Sequence, residues 1–133
     1  MQSPEPRFEA IASVATAHLE SLGQANPAIS LAVLTSEDGF EIATYQGVDV
    51  SRRIAAMSSS LQALSEAISR EAQLGGSNGL IVEAEHGTIL VLGLASTSPR
   101  LSLAVVAKAG ETLGALLWTA RNCCKSLEAA LRK

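Results

Sequence analysis

The sequence predicts an α+β fold, a five-stranded antiparallel sheet with helices on both faces, in the order α-β-β-α-β-β-β-α. Three observations carry this. Three long stretches repeat their apolar residues at steps of three and four, the period of a helix buried along one side. Between them lie runs such as Ala28 to Thr35 and Thr88 to Ala95, apolar on both alternating faces, as strands covered from above and below must be. The links within each strand group are of hairpin length, which suits antiparallel neighbours and leaves no room for the crossovers that parallel ones need.

Residues 1–6 carry two prolines and no periodicity, and read as a flexible lead-in to one domain over 7–133. Phe8, Ile11, Ala15, Leu19 and Leu22 then recur at helical spacing up to Gly23, a natural stop, with Asn26-Pro27 marking the break. His18 sits at the edge of that stripe as a partly exposed helix residue. The first strand, Ala28 to Thr35, turns at Asp38-Gly39, which suits a two-residue hairpin into the second strand, Phe40 to Gln46.

Gly47 and Asp49 introduce a long helix, Val50 to Leu74, which Asp49 or Ser51 can cap. Ile54, Met57, Leu61, Leu64 and Ile68 form an aliphatic stripe on it, expected to lie on the sheet. Beside it runs a stripe of small residues, Ala56, Ser59, Ser60, Ala63 and Ala67, that would let another backbone come near. Such a helix is either a core helix or one that packs on its sheet with one face and on a partner with the other.

Gly75 to Gly79 are turn residues; a phosphate loop would need a GK[ST] ending and a following helix, neither of which is present. Leu80 to Glu85 alternates with a mixed outer face and suits a sheet edge. His86-Gly87 turns the chain into Thr88 to Ala95, a central strand. Ser96 to Pro99 is a polar loop, Leu101 to Lys108 the fifth strand, and Ala109-Gly110 its end. From Glu111 the last helix places Leu113, Leu117, Ala120, Cys124, Leu127 and Leu131 on one face, with acid at its start and Arg132 and Lys133 at its end, as the helix dipole favours. Trp118 lies off that stripe, expected against the first helix or, alternatively, on a partner.

The composition excludes whole classes of function. With 47% hydrophobic and 17% charged residues, the chain is too apolar for disorder and too interrupted by charge for a membrane span. A net charge of -3 with scattered basic residues and 3% aromatics leaves neither an electrostatic footprint nor stacking platforms for nucleic acid. The start MQSPEPRF has acid and proline where a signal peptide needs a basic end and an apolar core, so no export is expected. Cys123 and Cys124 are neighbours on a helix, their side chains about 100° apart. They read as reduced thiols, and a cytoplasmic location follows.

Catalytic sets are missing. Asp38, Glu41, Glu83 and Glu85 are the carboxylates that could be paired, but Asp38 belongs to its turn, and Glu83 and Glu85 share one strand face. His18 and His86 have no spacing that joins them to the cysteines as a metal site. No nucleophile, base and orienter come together, so the chain reads as no enzyme, with no cofactor.

Three stretches together carry a resemblance: LAVLTSEDGFEIATY from Leu31 to Tyr45, NGLIVEAEHGTILVLGL from Asn78 to Leu94, and LSLAVVAKAGETLGALLWTAR from Leu101 to Arg121, where Leu113-Gly114 is similar to the start of a family's final helix. In this order they resemble the Roadblock/dynein light chain family, from about Phe8 to Leu131, a profilin-like α/β/α sandwich. The resemblance implies a homodimer in which the middle helix and the strand after it meet across a two-fold axis and join two sheets into one. Mapped here, the seam would hold Met57, Ser59, Ser60, Ala63 and Ala67, with Leu80, Ile81, Val82 and Glu83. It also implies a partner, a Ras-like small GTPase, which the dimer would bind and regulate as bacterial Mgl-type regulators do. Arg52, Arg53 and Ala56, at the start of the middle helix, would contact it. Either arginine could serve as a trans-acting finger or simply sit on a solvated face. The competing reading is a PAS- or longin-like sensor holding a small molecule between helix and sheet. It would need a strand-lined cavity, and few polar residues stand ready to orient a ligand there.

Overall fold

The structure, a computed structural model, describes residues 6–47, 49–97 and 100–132. The expected order is present: α1 (Pro6–Ala25), β1 (Ile29–Ser36), β2 (Glu41–Tyr45), α2 (Asp49–Glu71), β3 (Gly79–Ala84), β4 (Gly87–Leu94), β5 (Leu101–Lys108) and α3 (Leu113–Leu131). The strands form one antiparallel sheet in the order β2-β1-β5-β4-β3. The doubly apolar β1, β4 and β5 therefore hold the centre, and β3, with its mixed outer face, is an edge. Most of the lead-in expected over 1–6 lies outside the described residues, and Pro6 already opens α1.

Strand alternation divides the core into two layers. On one face the cross-strand row Leu34, Leu103 and Leu92 meets Leu19 of α1 and Leu116 and Leu127 of α3. On the other face Val33, Ala104 and Val91 form a row under Ala55 of α2. Helices thus cover both faces, and the first layer is the thicker one.

Local chemistry moved several boundaries. The β1–β2 link spans Glu37 to Phe40 rather than two residues: Gly39 N–H closes a turn onto Ser36 O at 3.0 Å, and Gly39 takes φ +90°. That conformation is what glycine contributes to a hairpin with a longer loop. α1 runs through Gly23 to Ala25, and Asn26 ends it by taking the Ala28 N–H on its own side chain at 3.1 Å. Gly23 is there for a different reason: a Cβ at that position would stand 2.1 Å from the Tyr45 ring, so only a bare backbone lets β2 close on α1. Gly23→Ala is expected to lower stability by about 1–3 kcal/mol, the usual cost of overpacking, measured by urea unfolding, with Tyr45→Ala recovering part of the loss.

α2 stops before Leu74, earlier than its pattern suggested. Leu74 N–H bonds back to Ser69 O at 2.9 Å and Gln73 N–H to Arg70 O at 3.0 Å, with Gln73 at φ +64°, a Schellman ending. Ser51, expected as a possible cap, is buried in the first turn, and its hydroxyl donates to the Glu41 carboxylate. α3 begins after Thr112, whose hydroxyl accepts the Ala115 N–H at 3.2 Å. Its buried stripe is Leu116, Ala120, Cys124 and Leu127, and Leu113, expected inside, is 40% exposed.

The largest departure is the orientation of α2. The residues it turns to the sheet are Ser51, Ala55 and Ser58, all buried, with Ile54 partly so. The aliphatic stripe expected on the sheet faces solvent: Met57, Leu64 and Ile68 are 58%, 59% and 63% exposed. The sheet beneath explains the choice. Val33, Ala104 and Val91 form a closely packed surface there, and Ala55, with a serine on either side at helical spacing, lets the first half of the helix lie near it.

A candidate protein interface along α2 and β3

The outward stripe of α2 continues past the end of the helix. Leu61, Leu64 and Ile68, together with Leu74 and Leu80, line a shallow groove of about 430 Å³ between α2 and β3. Leu74 is 78% exposed, and Ile81, on the opposite face of β3, is 42% exposed. Among the described residues β3 pairs only with β4, so its outer edge offers backbone groups beside this apolar surface. An apolar stripe of this extent next to an open sheet edge is what a protein contact covers.

The polar residues beneath hold the surface in place. Glu66 accepts the Ser77 N–H at 2.5 Å and an Arg100 Nη2 hydrogen at 3.1 Å, with Arg70 at 3.9 Å. The Ser77 amide first, and then Arg100, hold the Glu66 carboxyl below its ordinary value. Its contribution is therefore present above the ordinary carboxylate range and is lost as pH falls through it. Ser65 and Ser77 hydroxyls meet at 2.5 Å. Together these contacts tie the second half of α2 to the loop before β3 and to Arg100 at the start of β5.

The residues expected at the interface fall as follows. Met57, Ser60, Ala63 and Ala67 are exposed on α2, as are Ile81 and Glu83 on β3, while Leu80 and Val82 are half-buried. Ser59 is turned toward its own chain, donating to Glu37 O at 2.8 Å. Arg52, Arg53 and Ala56 are exposed at the N-terminal end of α2, contiguous with Met57. Leu61, Leu64 and Ile68, which the aliphatic spacing assigns to the sheet, lie on the outer surface, and so does Leu74. A signal was present: Ser51, Ala55, Ser58, Gln62 and Ser65 share helical spacing too, and small residues at that spacing can form the buried face of a closely packed helix.

The sequence over residues 16–107, well over half of the 133, matches the Roadblock/LC7 domain model. The chain belongs to the Roadblock/LC7 domain family. Among solved structures, a Roadblock/LC7 domain from Streptomyces avermitilis is similar at 24% identity and a TM-score of 0.80, covering 89% of this chain and 98% of that one. MglB of Myxococcus xanthus is similar at 14% identity and a TM-score of 0.79, covering 100% and 98%. The gliding protein MglB of Thermus thermophilus is similar at 16% identity and a TM-score of 0.78, covering 92% and 91%. A comparison with curated proteins finds no match.

Elsewhere this Roadblock/LC7 chain offers less. Among the described residues no three His, Cys, Asp or Glu side chains come together as a metal site, and no helix is long and apolar enough to cross a membrane. Trp118, expected against α1, is 71% exposed at the rim of the groove between α1 and α3. Cys123 and Cys124 are free thiols, and burial pushes them up to about 11 and about 12. A thiol that keeps its proton in the folded state favours folding until the unfolded chain begins to lose it. Stability is therefore expected to fall as pH rises from about 9 toward 12, and a Cys123→Ser/Cys124→Ala protein, compared by denaturant titration across that range, to show a flatter decline.

Proposed function

We propose that the chain is a non-catalytic homodimeric platform that binds and regulates a Ras-like small GTPase, acting in the cytoplasm in polarity, motility or signalling. The observation that carries this is the exposed aliphatic stripe of α2 running beside the open edge of β3. Two copies meeting across a two-fold axis would bury Met57, Leu61, Leu64 and Ile68 against their mates and pair the two β3 edges. One isologous contact would thus remove both the apolar patch and the aggregation-prone edge. The family and the MglB-like fold support the same arrangement and supply the class of partner.

With the seam formed by the middle and end of α2, its N-terminal end stays free. Arg52, Arg53 and Ala56 would face the GTPase there. The test is binding of the purified chain to its cognate GTPase loaded with GDP or with a GTP analogue, by calorimetry. Binding that differs between the two states is the expected result, and no binding in either overturns the proposal. Arg52→Ala and Arg53→Ala are expected to weaken binding about tenfold each. A loss of GTP hydrolysis on the order of 10³-fold would mark one of them as a finger.

A further inference from the structure

α1 and α3 lie side by side on the sheet face opposite α2. β1 starts beside the end of β5, so α1 ends and α3 begins at the same end of the sheet, and the two helices run antiparallel. Leu22 and Cys123 close the floor between them, the Cys123 thiol donating to the His18 carbonyl at 3.9 Å. Above that floor a groove of about 560 Å³ stays open, with Trp118 at its rim, 71% exposed. Val14, one turn before His18 on the same side of α1, is 39% exposed. A lone exposed valine needs no account, but an indole is the largest apolar surface a side chain can leave in water, and interfaces are where it is enriched.

The charged groups at this groove have one sign, in a chain whose net charge is -3. His18 and Lys125 line it, and no carboxylate does. Lys125 and Arg121, one turn earlier on α3, are exposed and form no ion pair among the described residues. The acidic residues next along each helix are engaged or turned elsewhere. Glu20 stands about 160° around α1 from His18. Glu128, a turn after Lys125, takes the Ser96 N–H at 3.1 Å.

We infer that this groove docks an amphipathic helix of another protein, which sets an apolar side chain against Trp118 and carboxylates toward Lys125, Arg121 and His18. The acidic character follows from the unpaired cations. The helical form follows from hydrogen bonding: α1 and α3 satisfy their own backbone groups, so an extended peptide would find nothing to pair with, whereas a helix arrives with its backbone already paired. From His18 to Ala25 the groove runs about 10 Å at the helical rise per residue, room for two turns with anchors at i, i+3 or i+4, and i+7. A lipid surface would call for a broad apolar face, and Ser21, Thr119, Asn122 and Ser126 line this one. The groove is across the sheet from α2, so it is independent of the proposed GTPase platform and stays open when the α2 seam is formed.

The probe is a phage-displayed library of helix-forming peptides, randomised along one face and selected on the full chain. Enriched peptides are expected to carry apolar residues at i, i+3 or i+4, and i+7, flanked by aspartate or glutamate. One of them, synthesised and titrated by NMR, is expected to shift the Trp118 indole N–H and the Ser21 and Asn122 backbone amides. Trp118→Ala, at a position too exposed for the fold to depend on it, is expected to weaken binding at least about 30-fold, and Lys125→Glu about tenfold. A selection that enriches nothing, peptides that are basic or lack helical spacing, shifts confined to other surfaces, or undiminished binding to Trp118→Ala would each overturn the inference. So would either of two other occupants: a second copy, if Trp118→Ala alters self-association in sedimentation velocity, or a membrane, if the chain binds phosphatidylglycerol/phosphatidylethanolamine vesicles and Trp118→Ala does not.

Discussion

Leu64→Asp is expected to abolish the proposed self-association while leaving the fold intact. Leu64 is 59% exposed in the chain by itself, so the substitution removes almost no internal packing. Its cost to the monomer is the poorer helix propensity of aspartate, about 0.5–0.7 kcal/mol. At the centre of a two-fold seam it would place two carboxylates near each other in an apolar setting. A central interface residue of this kind carries about 2 kcal/mol or more, so self-association should weaken at least about 30-fold. Sedimentation velocity over a concentration series measures this, with circular dichroism reporting the fold. A dimer retained at parental strength would show that the stripe meets something other than a second copy. Ala63→Arg, beside Leu64 on the same helix, is expected to act in the same direction.

Leu103→Ala is expected to have the opposite signature, a large loss of stability. Leu103 is 0% exposed on the central strand β5, between Leu34 and Leu92 and under α1 and α3. Truncation leaves a cavity that neighbours on three sides cannot fill, and costs about 2–5 kcal/mol. Against a total of about 5–15 kcal/mol for an ordinary domain, the shift in the urea midpoint should be obvious. The pair separates two leucines of the same chemistry. Leu103 supports the fold and Leu64 does not, because one lies between layers and the other outside them.

The element order, the edge position of β3 and the central position of β4 could be read from the chain because they rest on local signals. Period, turn residues and strand lengths are properties of neighbours in sequence. Positions that depended on distant residues were read less well. Gly23 reads locally as a helix stop, although its role is to make room for Tyr45, which arrives from β2. Gln73, rather than a glycine, takes the left-handed conformation at the end of α2 because two backbone hydrogen bonds hold it there. Trp118, off the apolar stripe of its helix, lies at a rim and not under α1.

The candidate interface divides in the same way. That α2 has two faces, one aliphatic and one small, is written in the spacing of its residues, and so is the family to which the order of motifs pointed. Which face meets the sheet is not. It depends on how deep the surface of β1, β4 and β5 is beneath the helix, and that surface is set by residues far along the chain, such as Gly93, Ser102 and Ala104. Ser51, Ala55 and Ser58 are the residues of α2 buried against it, and Met57, Leu64 and Ile68 are turned outward. The sequence alone therefore determined the elements and the existence of a second surface. Only the tertiary structure decided that the outward surface is the aliphatic one, because that is a consequence of how near two backbones can come.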